Sequence, residues 1–297
     1  MPRPLLSPKP FLAVSLLLGL LLSGCSTGSD APPLGATGTI VNKGSDTIVN
    51  LALAWAEAYK VVEPQVDIAV TGGGSGTGMA ALINGTVDVV NASRQIKPEE
   101  RAAAEANGIE PMEFIIARDA IAIIVHHSNP IDELSIGQLS DIYSGKINNW
   151  SELGGEDRPI VRLSRETNSG THVYFLEQVL RQGDTQDSTL FSPDTLLLPS
   201  SEGIMSEVRE NPNAIGYDGL GYVTDDVKVI AIARDPSEIF VLPSAKTVNS
   251  AEYPISRDLY MYTAGEPTGL ILAYLEWILQ SEAQTIVSDL GFVPARP

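Results

Sequence analysis

Cysteine is almost absent: Cys25 is the single one in 297 residues, so no disulfide can form within the chain. Histidine is nearly as scarce. His126 and His127 are adjacent near a strand end, where neighbouring side chains point to opposite faces, and with only His172 besides them no metal site is expected. Basic residues are few, 19 Lys and Arg against 37 Asp and Glu, for a formal net charge of −18. That balance excludes nucleic acid as a partner, because binding phosphodiesters needs a basic footprint. No apolar run approaches the roughly 20 residues of a membrane span. The N-terminal run, Phe11 to Leu22, has twelve. No repeat of fixed period stands out, and aromatics make up only 6%. What is plentiful is Ala, Val, Ile, Leu and Gly, a balance common in α/β proteins, with length for one large or two medium domains.

Arg3 and Lys9 precede the apolar run, and small residues follow it up to Leu22-Ser23-Gly24-Cys25. This is the layout of a cleaved export signal. The segment resembles a bacterial lipoprotein signal with its lipobox. That resemblance implies a signal peptide over residues 1–24, cleavage before Cys25 and diacylglycerol on its sulfur. Two or more acyl chains anchor stably, each buried methylene contributing about 0.8 kcal/mol. The protein is then expected outside the cytoplasm, tethered to a membrane face. Residues 25–38, rich in Gly, Ser, Thr, Ala and Pro, read as a flexible tether.

From Thr39 onward short β-rich runs alternate with amphipathic ones, the rhythm of a parallel sheet with crossover helices. Thr39 to Val41 and Val66 to Val70 read as strands, with a helix over Ile48 to Tyr59 between them. A Gly-rich turn over Gly72 to Gly78 precedes a helix from Met79 to Ile83 and a strand from Val87 to Asn91. A helix near Pro98 ends at Asn107-Gly108. Strands are expected at Phe114 to Ala117, Ala120 to Val125 and Ile160 to Leu163, and helices at Ile136 to Tyr143 and Thr171 to Leu180. Further strands are expected at Ala214 to Tyr222, Val227 to Ile232 and Ile255 to Tyr262, then helices at Leu270 to Gln280 and Glu282 to Leu290. The reading is an α/β protein of two lobes, each a mixed, mostly parallel sheet flanked by helices. Lobe 1 comprises residues 39–117 and 256–297, with lobe 2, residues 118–255, inserted.

Three turns follow strands and open helices: Gly44-Ser45-Asp46-Thr47, Gly73-Gly74-Ser75-Gly76-Thr77-Gly78 and Asn168-Ser169-Gly170-Thr171. Each presents hydroxyls and unpaired backbone N–H groups at the positive end of a helix dipole, a setting for anions. The second turn fits no register of G-x-G-x-x-G, and Met79 stands where a P-loop needs Lys, which disfavours nucleotides. Arg165 lies four residues before Ser169 and offers a fork of donors suited to a tetrahedral oxyanion. A Ser169/His172 nucleophile pair lacks the G-x-S-x-G context and has an unusual spacing, so an enzyme is not expected. Singly, each turn is also explained by good helix caps.

Together these motifs resemble the phosphate-binding lipoproteins of the bacterial phosphate importer, the PstS type of solute-binding protein. Gly44-Ser45-Asp46-Thr47 and Gly74-Ser75-Gly76 are similar to the family's first two anion-binding turns. Arg165-Glu166-Thr167-Asn168-Ser169-Gly170-Thr171 is similar to its Arg-x-x-x-Ser-Gly-Thr signature, and Ser140 to Ile147, Asn149-Trp150 and Ala214 to Tyr217 extend the likeness. The resemblance implies a type II periplasmic-binding-protein clamp with the anion buried between the lobes. It implies phosphate donors at Ser45 or its backbone N–H, Thr47, Ser75, Arg165, Ser169, Gly170 through its backbone, and Thr171. The partners implied are a permease with cytoplasmic ATPases. No cofactor is needed, and a monomer is expected.

Many members of that family place an aspartate, which accepts the proton of hydrogen phosphate, where this chain has Arg94 after Ser93. A cationic Arg94 attracts phosphate and sulfate alike, so discrimination needs another acceptor. Asp46 is the first expectation and Glu166 the second. Sulfate, molybdate or tungstate remain alternative ligands, and a phosphate-responsive sensor an alternative role.

Overall fold

The computed structural model describes residues 37–295, which belong to one compact unit. The expected signal peptide and Cys25, and all but the last two residues of the expected tether, lie outside the described residues. The strands are β1 (Gly38–Gly44), β2 (Val66–Thr71), β3 (Val89–Ala92), β4 (Pro111–Val125), β5 (Glu133–Ser135), β6 (Val161–Arg165), β7 (Leu196–Leu198), β8 (Ala214–Gly219), β9 (Lys228–Ala233), β10 (Ser256–Ala264) and β11 (Val293–Pro294). The helices are α1 (Asp46–Val62), α2 (Ser75–Ile83), α3 (Pro98–Ala106), α4 (Ile136–Tyr143), α5 (Gly170–Phe175), α6 (Ser201–Glu210), α7 (Ala245–Asn249), α8 (Gly269–Ile278) and α9 (Ser281–Asp289).

The strands form one mixed sheet in the order β2-β1-β3-β10-β4-β8-β6-β7, with β11 and β9 also on β4 and β5 on β9. The pairs β1–β2, β1–β3, β6–β8, β6–β7 and β5–β9 are parallel. Every antiparallel pair involves β4 or β10. These two strands are the seam of the molecule. The sequence suggested two strands between Phe114 and Val125; the structure has one of fifteen residues, β4. Its first part pairs with β10, up to Ala120 opposite Ser256, and from Ile121 onward it pairs with β8. Arg118-Asp119, which looked like an interruption, continues the ladder because Asp119 is buried against a cation rather than turned to solvent.

Helix α1 buries Ile48, Leu51, Ala52, Trp55 and Tyr59, one stripe at helical spacing, against the sheet and α9. The Trp55 Nε1–H donates to the Ala283 carbonyl at 2.9 Å. Helix α2 starts at Ser75, four residues earlier than the sequence suggested, so most of the Gly-rich turn is helix. Its Gly78 lies where a Cβ would come within 2.8 Å of Gly44 Cα and of the Lys43 carbonyl, so glycine lets α2 seat directly on β1. A second core, with Ile121, Ile123, Leu139, Tyr143, Phe175 and Tyr217, fills the β8 side of the seam. Phe175 stacks on Tyr217 at 3.7 Å between ring centroids. The helix expected over Thr171 to Leu180 is α5 followed by a π-helical stretch, Leu176–Leu180. Helix α6 was not expected: its apolar positions Ile204, Met205 and Val208 are few among polar residues, although they keep helical spacing behind the capping Ser200.

Candidate anion-binding site

The three Ser-rich turns meet at the seam. At the start of α1, the backbone N–H of Ser45 donates to the Asn91 carbonyl at 2.8 Å, so it is not free for a ligand. The Ser45 Oγ is free: it is buried and has no hydrogen-bond partner. Thr47 Oγ1 lies 2.8 Å from Thr171 Oγ1, joining the first turn to the third. In the second turn, Ser75 Oγ accepts the Ser93 backbone N–H at 3.0 Å and sits 3.3 Å from Ser93 Oγ. The Gly76 N–H donates to the Asn168 carbonyl at 2.9 Å, joining the second turn to the third. Ser169 caps α5, its Oγ accepting the Thr171 N–H at 3.2 Å. Ser45, Thr47, Ser75, Ser93, Ser169, Gly170 and Thr171 are all buried. The elements carrying them come from both sides of the seam, and apart from Ser45 Oγ their hydroxyls have protein partners.

Arg165 is 1% exposed, and most of its fork is taken by protein acceptors. Nε donates to the Leu198 carbonyl at 3.4 Å and Nη1 to Ser201 Oγ at 2.8 Å, with Asp218 Oδ2 at 3.6 Å. Nη2 donates to Asp46 Oδ2 at 2.9 Å and to the Pro199 carbonyl at 2.8 Å. Four of its five N–H groups therefore donate to protein acceptors, and Asp218 faces Nη1 as an ion pair without a hydrogen bond. Asp46 Oδ2 also accepts the Ser201 N–H at 3.0 Å, which ties the start of α1 to that of α6.

Two of the residues suggested for selectivity lie elsewhere. Arg94 is spent on Glu100, with Nη1 and Nη2 at 2.7 and 2.6 Å from the two carboxylate oxygens, so its charge is neutralised within the turn before α3. Arg94 Nη1 also meets the Gln95 carbonyl at 2.8 Å. Glu166 is exposed. His172 is no partner for Ser169: its Nδ1 is 3.0 Å from Ser164 Oγ, its ring stacks on Phe191, and burial lowers its pKa. His126 and His127 bond separately, to Ser128 Oγ and to the Asp225 carbonyl.

The sequence reading missed a second buried pair. Arg257 on β10 sends Nε and Nη2 to Asp119 Oδ2 on β4, at 3.3 and 2.9 Å. Its Nη2 also reaches Thr171 Oγ1 at 3.0 Å and its Nη1 the Ser93 carbonyl at 3.0 Å, so Arg257 touches both the second and third turns' surroundings. Asp119 Oδ1 accepts the Leu220 N–H at 3.1 Å. Complete burial pushes the Asp119 carboxyl up to about 6, against the pull of Arg257, and Asp218 adds to the rise. Asp218 is also raised by burial. The overlooked signal was chemical: Asp119 and Asp218 each interrupt an apolar strand, and a charge there needs a partner. Beside Arg257 a cleft of about 420 Å³ opens, lined among others by Lys97, Tyr174, Glu177 and Tyr260.

The profile of the PBP superfamily domain matches residues 31–282. The phosphate-binding protein PstS of Pseudomonas aeruginosa is 34% identical over 277 residues, covering 88% of this chain and 84% of that protein. The chain belongs to the PstS family of phosphate-binding proteins. PstS of Bacillus subtilis is likewise 34% identical over 265 residues, covering 87% of this chain and 81% of that protein. Among solved structures, a phosphate ABC transporter substrate-binding protein from Clostridium perfringens, crystallised with bound phosphate, superposes with a TM-score of 0.78 at 33% identity. The match covers 87% of this chain and 100% of that one. The mixed α/β fold is thus that of the PstS family, as the sequence motifs implied.

Proposed function

We propose that this chain is an extracytoplasmic solute-binding protein that captures inorganic phosphate and delivers it to an ABC-type permease driven by cytoplasmic ATPases. One observation carries the reading. Three donor turns from both sides of the β4/β10 seam converge on buried hydroxyls, and one of these, Ser45 Oγ, is buried with no protein partner. A buried hydroxyl left unpaired costs free energy unless a ligand completes it. The PstS relatives and the phosphate-bound Clostridium perfringens protein supply the ligand class.

In this reading Ser45, Thr47, Ser75, Ser169 and Thr171 present hydroxyl or backbone donors to the anion, and Gly170 its N–H. Arg165, with four of its five N–H groups engaged by protein, contributes charge and its remaining N–H and ties Asp46 to the turns of the opposite side. Residues 39–117 with 256–297, and residues 118–255, are the two lobes. Closure brings Thr47 onto Thr171 and Gly76 onto Asn168, and the anion selects that closed state. In this reading the protein binds its ligand and releases it unchanged. Cys25 carries the lipid that keeps the protein, a monomer, at the membrane.

Uptake of labelled phosphate by cells with and without the gene tests the role. Loss of uptake at low phosphate, restored by the wild-type gene, is the expected result. Unchanged uptake with a lost phosphate response overturns delivery in favour of sensing.

A further inference from the structure

Asn168 is the one residue of the run Asn168-Ser169-Gly170-Thr171 to which the anion reading gives no role. It is exposed, while the three residues after it are buried. Every hydrogen bond it makes among the described residues crosses to the second turn. Its Nδ2 donates to the Gly73 carbonyl at 2.9 Å and to Thr77 Oγ1 at 3.3 Å, and its own carbonyl accepts the Gly76 N–H at 2.9 Å. Thr77 Oγ1 donates in turn to the Gly73 carbonyl at 2.7 Å, so the three groups close a ring of bonds at the start of α2.

The second turn is shaped to receive this residue. A Cβ at Gly74 would stand 2.8 Å from the Asn168 carbonyl oxygen, and the three atoms nearest a Cβ at Gly76 all belong to Asn168, the first at 3.2 Å. Gly76 lies inside α2 and has no positive φ, so its backbone does not ask for glycine, which a helix disfavours against alanine. Its N–H is one of the orphan donors of the first turn of α2, and the Asn168 carbonyl takes it in place of an anion. The clasp touches none of the proposed donor side chains. It bonds Gly73, Gly76 and Thr77, which surround Ser75, from a residue that immediately precedes Ser169. Holding it shut therefore fixes the spacing of two donors without contact with the ligand.

We propose that Asn168 is a positioning residue that latches the closed site, holding the second turn against the third and slowing the release of bound phosphate. This rests on the phosphate-binding reading above, in which the two turns belong to opposite lobes. An anion enters while the lobes stand apart and none of these bonds is made, so the latch does not alter capture. It must open before the anion leaves, so its strength appears in the release rate. Removing the carboxamide leaves the carbonyl's bond to Gly76 in place and takes away only the ring with Gly73 and Thr77. At an exposed rim water replaces those bonds, which keeps the loss modest.

The test combines calorimetric titration of the purified, anion-stripped protein with phosphate and ³¹P exchange spectroscopy of the protein with phosphate in excess. The second gives the release rate, and its quotient with the dissociation constant gives the capture rate. Asn168→Ala is expected to release phosphate about three- to tenfold faster, the worth of the lost bonds, with affinity weaker by the same factor and capture unchanged. Thr77→Val removes one partner and speeds release by a smaller factor, and in the double variant the two factors do not multiply, because both act on one ring. A merely structural role would lower the melting temperature without phosphate and leave the rates of the folded protein alone. Release from Asn168→Ala within a factor of about 1.5 of wild type, a loss of affinity that lies in slower capture, or factors that multiply would each overturn the latch alone. A wild-type protein that binds no phosphate overturns the reading beneath it.

Discussion

Gly170 offers the sharpest test of how the three turns close on one another. A Cβ at this position would stand 2.5 Å from Ser93 Oγ and closer still to Ser75 Oγ, distances that real Cβ atoms essentially never show. Ser75 cannot simply swing aside, since its Oγ accepts the Ser93 backbone N–H and its Cβ would itself stand 3.1 Å from the added methyl. Gly170→Ala therefore forces the third turn away from the second. Overpacking by one methyl costs about 1–3 kcal/mol in a well-packed interior. Gly170 belongs to one side of the seam and the two serines to the other, so the cost falls on closure rather than on the folding of either side. Affinity for phosphate should drop by about 5- to 150-fold at 25 °C, since 1.4 kcal/mol is a factor of ten. Calorimetric titration of the variant reads the loss, and a thermal melt without phosphate should move far less than the phosphate-bound melt. A Gly170→Ala protein that binds phosphate within a factor of about two of wild type would refute the close approach, because even the smallest cost in that range exceeds it.

Three further outcomes follow from the same geometry. Ser45→Ala removes a hydroxyl that bonds nothing in the protein, so urea stability without ligand should hold or rise slightly, while phosphate affinity falls by about tenfold or more, as for a bond to a charged group. A matching loss of stability would mean the hydroxyl serves the fold. Arg165→Gln leaves Asp46 and the fully buried Asp218 without their cation and should cost about 3–5 kcal/mol in urea unfolding; a cost below about 1 kcal/mol would contradict the burial of that network. Asp119, raised by burial to about 6 from 3.8, binds its proton more tightly in the folded state than in the unfolded one. Its contribution to stability is complete below about pH 4 and is lost as pH rises through about 6, and a carboxyl ¹³C titration in the absence of phosphate should place its midpoint near 6. A midpoint at or below about 4 would show that Arg257 outweighs burial.

Much of the molecule was legible in the sequence because local pattern and tertiary role agreed. Helix α1 announces itself by the Ile48, Leu51, Ala52, Trp55 and Tyr59 stripe, and α4 by a Ser135/Gln138 capping box before an apolar face. The three Ser-rich turns that meet at the seam were legible as hydroxyls and glycines between a strand and a helix. What escaped depended on contacts distant in sequence. Arg118-Asp119 looked like a break between two strands, yet Arg257, 138 residues later, supplies the cation that keeps Asp119 inside one strand. Arg165 matched the motif for an anion fork, but Asp46, Ser201 and the carbonyls of Leu198 and Pro199, which take four of its five N–H groups, are not adjacent to it in sequence. Arg94 was weighed as a pocket cation because its partner Glu100 belongs to the next helix, and the sequence alone does not distinguish that pairing from a ligand-facing side chain.

The most direct measurement is calorimetric titration of the purified protein, stripped of bound anion, with phosphate and then with sulfate at one pH. The account predicts tight one-to-one phosphate binding and little heat with sulfate. Binding of neither anion, or sulfate binding as tight as phosphate binding, would contradict it.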